Sequence, residues 1–506
     1  MNSTVARKSS IVLWTLSVAY IGIAAVLMWM RTAPFIGLET DGVFYMMAAR
    51  KLFTAAFTPP TYGGGIGMPL AIAAVNMIVT DTFRSAQLVS AVAGLLYLIA
   101  AIRVCSKLFS PVIGLATGAL LLVSPVLLAN SSSSLTDVLA ASLPLAGLWL
   151  LLSRTDSSKA LSFFAAGFLF GCAYAVRSIN FVFLPLPLVV ALGENFRQNG
   201  KRTMATVVGI VLAAIPQLYV NQKYFGNAFY SDNWRNVAAM VFDWNHVNQL
   251  VSFRQALQEA GPTLFVTWIK QFVLDLPIAL FHVAYLPVLF FVPGIFLAFR
   301  QTTGAHRRVF IMWALCTFGY LLLVAGVWRI EARYFLPALP FIFSSSLLMW
   351  QHLTVRAKPL LFAGLSVALV ISAAVSLRDV RQLLHSQANE FKEAGLYLRQ
   401  HGDGTGLILA SQPSVFFYAE QPGMLIEAIP HSDVDQFNAF VAAKNIRWIA
   451  FDERRGYRDD PQLAWLLDPA SDVAANRGWK SVFVCESPRL VIWSTHDVNM
   501  AAQSVR

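Results

Sequence analysis

The chain has 506 residues, of which 57% are hydrophobic and 13% are charged, and its formal net charge at pH 7 is +11. Soluble globular proteins have about 25% charged residues, so this composition predicts a membrane protein. The positive charge does not indicate a nucleic-acid partner, because the lysines and arginines cluster in short loops between apolar runs.

Long apolar runs recur through the first three quarters of the chain, and a bilayer core requires roughly 20 apolar residues per helix. Eleven runs are candidate membrane spans, at 11–30, 84–104, 110–129, 135–153, 160–176, 179–194, 203–220, 284–300, 308–327, 334–352 and 359–377. A count of thirteen, which adds 66–80 and 263–280, stays open.

Basic residues occur in alternate loops, beginning with Arg7 and Lys8 before the first span. The positive-inside rule therefore predicts a cytoplasmic N-terminus and an external C-terminus. Two long loops, 31–83 and 221–283, then face the outside. Segments 41–56, 66–80 and 263–280 of these loops are expected to be interfacial helices.

From about residue 385 the apolar segments shorten to strand length and alternate with helical patterns. This rhythm predicts a periplasmic or extracellular α/β domain at 385–506, after a transmembrane domain at 1–380. Strands are expected at Leu407–Ala410, Met424–Ile429, Trp448–Phe451, Ser481–Cys485 and Leu490–Trp493, and helices at 388–400, 434–444 and 461–467. The segment Asp452–Arg455, which follows a predicted strand, is expected to be a solvated turn.

Glu39-Thr-Asp-Gly-Val-Phe-Tyr45 follows the first span directly. On a helix, Asp41 and Tyr45 are four residues apart and share a face. A carboxylate at the membrane surface can act as a general base toward a hydroxyl group. The competing interpretation is that Asp41 caps the helix.

A second set of polar residues lies at predicted external span ends: Asp137, Arg177, Arg329 and Arg333. Charges at span edges are costly and indicate a site, and the planar donor fork of arginine suits a phosphate group. Helix capping by Asp137 and snorkelling of the arginines toward lipid headgroups are the alternatives. Two carboxylates such as Asp41 and Asp137, if they converge, can bind a cation or divide acid and base roles.

No P-loop, no GxGxxG segment after a strand, no HExxH and no CxxC occurs in the chain. A nucleotide-driven mechanism, a structural zinc site and a disulfide framework therefore have no support.

The order of several short motifs resembles the GT-C membrane glycosyltransferases, specifically the dolichyl-phosphate-mannose protein mannosyltransferase and aminoarabinose transferase branch. The matching segments are Asp41–Tyr45, Thr58–Tyr62, Ser85–Ser90, Ser134–Asp137, Ala175–Arg177, Tyr224–Asn227 and Glu331–Pro337. The resemblance implies an α-helical polytopic fold of about eleven transmembrane helices with interfacial helices in the first external loop and a C-terminal α/β domain.

The resemblance also implies sugar transfer from a polyprenyl-phosphate carrier to a glycolipid, polysaccharide or protein acceptor outside the membrane. Asp41 would be the general base and Asp137 a supporting acid, while Arg177, Arg333 or Arg329 would hold the donor phosphate. Substrate contacts would come from Glu39, Tyr45, Tyr62 and Tyr334. No cofactor is implied with certainty, a divalent cation stays possible, and membrane lipids are the surrounding partners.

Two residues depart from the family pattern. Gly42 replaces the usual acidic neighbour of Asp41, and Thr58 stands where aminoarabinose transferases have lysine. The first change puts a metal or second-acid role there in doubt, and the second argues against a close copy of lipid A modification. A polysaccharide polymerase or ligase that uses a pyrophosphate-linked oligosaccharide, a lipid-sugar transporter or flippase, and a non-catalytic scaffold are the competing functions.

Overall fold

The computed structural model describes most of the chain. The described residues are 15, 18–30, 40–60, 65–153, 160–193, 199–242, 246–247, 250–327, 329–352, 363, 366–367, 370–371, 373–375, 377–378, 381, 388–402, 404, 406–426 and 434–496.

The described segments before residue 353 consist of helices joined by turns and irregular stretches. Four described helices are long and apolar enough to cross a membrane, judged by length and composition: Thr82–Leu108, Gly200–Phe225, Phe253–Ala284 and Gly304–Val324. The other helices in this part are Val18–Met30, Thr40–Lys51, Gly67–Asn76, Pro111–Leu122, Pro125–Asn130, Asp137–Ser153, Ala160–Val176, Pro185–Leu192, Asn233–Ala238, Phe291–Gln301 and Leu339–His352, with 3-10 turns at Ser178–Phe183, Leu286–Phe290 and Ala332–Phe335.

Residues 263–280, predicted either as an interfacial helix or as an additional span, lie within a longer helical segment. Phe253–Lys270, which is kinked at Ala260 shortly before Pro262, continues through a π turn, Gln271–Asp275, into Leu276–Ala284, and the whole apolar segment has 32 residues. Such a helix exceeds the roughly 20 residues that a bilayer core requires. This segment therefore agrees with the larger span count, although the total count stays a prediction.

Prolines divide several predicted spans into shorter pieces. The span at 110–129 is two helices, Pro111–Leu122 and Pro125–Asn130, because Pro125 lacks the N–H group that would continue the first helix. The span at 179–194 begins as the 3-10 turn Ser178–Phe183 before Pro185 starts an α-helix. Most of the predicted span at 359–377 lies outside the described residues.

Glycines permit close packing between two helices of the part before residue 353. Gly167 and Gly171 lie one turn apart on Ala160–Val176 and meet the backbone of Gly200–Phe225 near Gly209. A Cβ atom on Gly209 would lie 2.8 Å from the backbone nitrogen of Phe168. Small residues one turn apart are typical of helix contacts in membranes, where van der Waals packing and close backbone approach drive association.

The C-terminal part contains the predicted small sheet, with strands β1 (Leu407–Ala410), β2 (Gly423–Leu425), β3 (Ile446–Asp452), β4 (Lys480–Glu486) and β5 (Arg489–Ser494). The strand order is β2-β1-β3-β5-β4; β1 is parallel to β2 and β3, and β5 is antiparallel to β3 and β4. The helices are Asn389–His401, Ser414–Ala419, Val434–Ala443, Gly456–Asp459 and Asp472–Ala475, with a 3-10 turn at Pro461–Leu467.

The prediction that Asp452–Arg455 is a solvated turn is wrong at its first residue. The Asp452 carboxylate is fully buried and accepts hydrogen bonds from the backbone N–H groups of Arg455 (2.7 Å) and Gly456 (3.3 Å) and from the Ser411 hydroxyl. Burial raises the pKa of Asp452 above its ordinary value. The carboxylate therefore fixes the turn that leaves β3.

The chain divides into two compact units, Met1–Phe35 with Phe44–His385, and Ile36–Val43 with Ser386–Arg506. In the helix Thr40–Lys51, the residues up to Val43 group with the second unit.

Replacing Gly209 with alanine tests the close helix packing. The added methyl group would meet backbone atoms of Phe164 and Phe168, which cannot move aside as a flexible side chain can. We expect Gly209→Ala to destabilise the protein by about 1–3 kcal/mol, measured as a lower Tm in detergent. Gly22→Ala is the matched control, because nothing lies within 4 Å of its added Cβ. Equal melting temperatures for the two variants would contradict this packing.

Candidate active site

Asp137 begins the helix Asp137–Ser153 and is almost completely buried, with 4% of its side chain exposed. A carboxylate in the first turn of a helix is stabilised by the free N–H groups and the helix dipole. That stabilisation alone does not explain the burial of a charge, which requires paired partners.

Two arginines from separate segments provide those partners. Arg177 follows the helix Ala160–Val176 and forms an ion pair with Oδ1 of Asp137 through Nη1. Arg333, in the 3-10 turn Ala332–Phe335, places its Nη1 3.7 Å from Oδ2 of Asp137. We call Asp137, Arg177 and Arg333 the Asp137 clamp. The structure thus brings together three of the residues that the sequence singled out.

Tyr334 and Glu331 complete the surroundings of the Asp137 clamp. The guanidinium carbons of Arg177 and Arg333 lie 5.1 and 5.3 Å from the centre of the Tyr334 ring, within the range of cation–π attraction. The Glu331 carboxylate lies 2.7 Å from Nε of Arg333. Tyr334 therefore lies beside the residues that the sequence analysis assigned to the donor phosphate, and its ring packs against both arginines.

Arg177 of the Asp137 clamp keeps its positive charge although it is largely buried. Burial of Arg177 by itself lowers its pKa, but the Asp137 carboxylate more than offsets this, so the pKa of Arg177 is raised and the guanidinium stays charged. Arg177 and Arg333 keep 25% and 18% of their side chains exposed. An arginine has five N–H donors in a planar fork. The ion pair of Arg177 with Asp137 uses Nη1, and Nε and Nη2 of the same guanidinium are donors of the kind that bind an oxyanion such as phosphate.

Buried hydrogen bonds fix the segments that carry the arginines. The fully buried Tyr97 hydroxyl donates to the carbonyl of Leu336, 2.6 Å away, and so holds the turn of Arg333 against the helix Thr82–Leu108. The backbone N–H of Gly65 donates to the carbonyl of Val176, 3.2 Å away, immediately before Arg177. A hydrogen bond to a neighbouring residue in the chain therefore holds the backbone near each arginine in place.

An amide relay joins the two long loops beside Arg177. The Ile66 N–H donates to Oε1 of Gln217 (2.7 Å), and Nε2 of Gln217 donates to Oδ1 of Asn221 (2.7 Å). Nδ2 of Asn221 then donates to the carbonyls of Ala228 (3.0 Å) and Tyr230 (2.9 Å). Both amides are buried in the helix Gly200–Phe225, so the relay ties Ile66, in the second half of one loop, to the start of the other.

The remaining predicted site residues have other positions. Asp41 lies half-buried in the first turn of Thr40–Lys51, and Tyr45 lies buried one turn later on the same helix. Arg329 is exposed, and no ion pair joins it to Asp137 within the described part of the chain. Glu39 and Tyr62 lie outside the described residues.

Sequence reasoning missed the amides at Gln217, Asn221 and Asn180. Nδ2 of the buried Asn180 donates to the carbonyls of Ala140 and Ala173. A signal was present, because polar amides inside apolar segments are expensive in a membrane and mark structural or functional sites. Gln217 and Asn221, spaced four residues apart in an apolar helix, would have been found by that rule.

A metal role for Asp137 has no geometric support. Both of its carboxylate oxygens face arginine nitrogens. Among the residues that the structure describes, no group of three His, Cys, Asp or Glu side chains is placed to hold a metal ion.

One protein-family model matches the chain. It describes dolichyl-phosphate-mannose-protein mannosyltransferase and covers residues 64–219. The matched region includes Asp137 and Arg177 but neither Asp41 nor Arg333. A comparison with curated proteins gave no match.

Solved structures resemble the chain over much of its length at low sequence identity. ArnT from Cupriavidus metallidurans, solved with undecaprenyl phosphate bound, has a TM-score of 0.60 at 13% identity, with 95% of this chain and 98% of that chain covered. The Archaeoglobus fulgidus oligosaccharyltransferase tethered to an acceptor peptide has a TM-score of 0.58 at 12% identity, covering 86% and 69%. The arabinofuranosyltransferase AftD from Mycobacteria has 0.55 at 12% identity, covering 95% and 41%.

These similarities, together with the apolar helices, confirm the predicted membrane class. The helical part followed by a small C-terminal sheet also agrees with the predicted architecture. The chain therefore has the fold of the GT-C membrane glycosyltransferases, and its resemblance to the protein mannosyltransferase and aminoarabinose transferase branch is confirmed.

Proposed function

We propose that the protein transfers a sugar from a polyprenyl-phosphate carrier to a hydroxyl group of a glycolipid, polysaccharide or protein on the external face of the membrane. The observation that carries this proposal is the Asp137 clamp, in which a buried carboxylate holds two partly exposed arginines together. Two guanidinium groups at one point suit a phosphate monoester. The undecaprenyl phosphate in the ArnT structure of the same fold supports a lipid phosphate as the ligand.

In the proposed reaction, the acceptor oxygen forms a bond to the anomeric carbon of the sugar. The bond from that carbon to the phosphate oxygen breaks, and the polyprenyl phosphate leaves as an anion. Arg177 and Arg333 stabilise the negative charge that develops on the leaving oxygen. The proton of the acceptor hydroxyl passes to the Asp41 carboxylate, which acts as general base.

The role of Asp137 follows from its two partners. Because both carboxylate oxygens face arginines, Asp137 orients these side chains and neutralises part of their charge. We therefore assign it a supporting role, as the resemblance implied, and not a proton transfer. The ring of Tyr334 packs against the guanidinium groups of both arginines. Glu39, Tyr45 and Tyr62 remain proposed substrate contacts.

We also propose that residues 1–380 form the catalytic transmembrane domain and 385–506 an external α/β domain, with the N-terminus in the cytoplasm of a bacterium. Basic loops on one side of the predicted spans support this orientation. The proposal covers both hexoses and pentoses as the sugar, because the contacts of the Asp137 clamp concern the phosphate and not the sugar ring.

Two other functions fit parts of the same chain. A polymerase or ligase with a pyrophosphate-linked donor would also use arginines, and a transporter would move the lipid-linked sugar without forming a product. Transporters have ionisable or Gly/Pro-interrupted spans in paired halves. The ionisable residues of the Asp137 clamp lie instead at helix ends, which favours a transferase.

Replacing Asp41 with asparagine tests the general base. The amide keeps the size of the side chain but does not accept the proton, so we expect sugar transfer to be lost while Tm changes little. Sugar transfer is measured in proteoliposomes with a polyprenyl-phosphate sugar. Asp81→Asn is the matched control, because Asp81 caps the helix Thr82–Leu108 and asparagine caps equally well. Full activity of Asp41→Asn would contradict the proposal that Asp41 is the general base.

Replacing Arg333 with alanine tests the phosphate site. Because a charge-assisted hydrogen bond contributes about 1.5–3 kcal/mol, we expect the Kd for undecaprenyl phosphate to rise about ten- to a hundredfold. Arg254→Ala, which removes an exposed arginine from the helix Phe253–Lys270, is the control and should bind as wild type does.

The same binding assay is repeated with undecaprenyl pyrophosphate, which separates the two enzyme functions. We expect tighter binding of the monophosphate. An unchanged Kd in Arg333→Ala, or a clear preference of the wild type for the pyrophosphate, would argue against the proposed donor.

A further inference from the structure

The helix that carries Asp137 contains a proline in its interior. Pro144 lies within Asp137–Ser153, in a buried part of the helix. A helical residue normally donates its N–H to the carbonyl four residues earlier, which here belongs to Ala140. Proline has no N–H, so Pro144 leaves the Ala140 carbonyl without its intrahelical donor. In an apolar environment such a carbonyl costs several kcal/mol unless another donor reaches it.

The donor that reaches it is Asn180, which lies in a different segment. Asn180 is 1% exposed, in the 3-10 turn Ser178–Phe183, and its Nδ2 lies 3.0 Å from the carbonyl oxygen of Ala140. The side chain therefore replaces the hydrogen bond that Pro144 cannot make. Its own backbone N–H donates to the carbonyl of Arg177, 3.0 Å away, which closes the turn after the arginine.

The same amide nitrogen also reaches the helix that leads to Arg177. Nδ2 of Asn180 lies 3.1 Å from the carbonyl of Ala173, and that carbonyl also accepts the backbone N–H of Arg177 at 3.0 Å. One side chain thus bonds the first turn of the Asp137 helix and the last turn before Arg177. The distance between these two helix ends determines whether Asp137 and Arg177 can form their ion pair.

We propose that Asn180 is a positioning residue that aligns Asp137 with Arg177, by supplying the hydrogen bond missing at Pro144 and tying it to the end of the Arg177 helix. Pro144 leaves the Ala140 carbonyl without an intrahelical donor, so this carbonyl depends on Asn180, whereas the Ala173 carbonyl accepts Asn180 in addition to the N–H of Arg177. The inference rests on the proposed function only where it concerns phosphate binding, and the alignment itself stands on the hydrogen bonds.

A simpler role would be that Asn180 only satisfies the Ala140 carbonyl. Pro144→Ala separates the two roles, because the introduced alanine has the N–H that restores the intrahelical bond. In that background the Ala140 carbonyl has an intrahelical donor and no longer needs Asn180. The hydrogen bond to the Ala173 carbonyl still requires the Asn180 side chain. The alignment of Asp137 with Arg177 should therefore continue to depend on Asn180.

The test is a double-mutant cycle on the full chain in detergent. Tm is measured for Asn180→Leu, Asp137→Asn and their combination, first in the wild-type background and then in the Pro144→Ala background. Leucine has nearly the size of asparagine and removes both donors. If Asn180 aligns the ion pair, Asp137→Asn lowers Tm less when Asn180 is already replaced, since the pair is then misaligned. This non-additivity should persist in the Pro144→Ala background.

Undecaprenyl phosphate binding to the same variants is the second measurement. We expect Asn180→Leu to raise the Kd about tenfold, the scale of one lost interaction, and Pro144→Ala to leave this loss in place. A wild-type protein that does not bind this lipid would count against the proposed function, while the Tm cycle would still decide the role of Asn180.

Additive Tm changes in both backgrounds would overturn the proposal. So would full recovery of both Tm and lipid binding in Asn180→Leu/Pro144→Ala, because Asn180 would then serve only the Ala140 carbonyl. If Asn180→Leu does not fold when Pro144 is retained, the cycle is run in the Pro144→Ala background alone. Failure to fold in that background as well would show a general structural need and would also overturn the positioning role.

Discussion

A buried carboxylate that faces two arginines is the interaction around which the membrane part is organised. Moving a charge out of water costs several kcal/mol even after relaxation, and removal of one partner leaves the others uncompensated. Asp137 is therefore tolerable at 4% exposure only because Arg177 and Arg333 approach its two oxygens. The arginines in turn stay partly exposed, with 25% and 18% of their side chains accessible, so guanidinium donors are available to a ligand.

Hydrogen bonds in the surrounding structure hold the segments that carry these charged residues in position. Tyr97 holds the turn of Arg333, and the N–H of Gly65 meets the backbone just before Arg177. Asn180 and Gln217 extend the same principle, because each is a buried amide whose hydrogen bonds cross from one segment to another. Such bonds are directional, and they fix positions that apolar packing alone would leave free to slide.

Much of the architecture could be predicted because it depends on local patterns. The apolar runs predicted the helices, and the strand at Leu407–Ala410 was predicted with its observed bounds, since a short apolar run between turn residues has few other solutions. Asp137, Arg177 and Arg333 could be singled out because each is a charge at the end of an apolar run. Their convergence could not be predicted, because the three residues come from separate segments and their distances depend on tertiary packing.

The errors have equally physical causes. Asp452 follows a strand within a run of charged residues, which is typical of a solvated turn, yet its hydrogen bonds to the turn and to Ser411 draw it inside. Only residues 263–280 of the segment Phe253–Ala284 were predicted to be helical, because its first part carries Arg254, Glu259 and Pro262. Asn180 was overlooked because its importance appears only when Pro144, in another helix, is seen to lack a donor.

A structure of the full chain determined by electron cryomicroscopy with undecaprenyl phosphate tests the central claim most directly. We expect phosphate density within hydrogen-bond distance, about 3 Å, of the guanidinium groups of Arg177 and Arg333, with Asp137 still paired to them. Ordered lipid whose phosphate binds at a different place, with the Asp137 clamp closed and unoccupied in the same map, would contradict it.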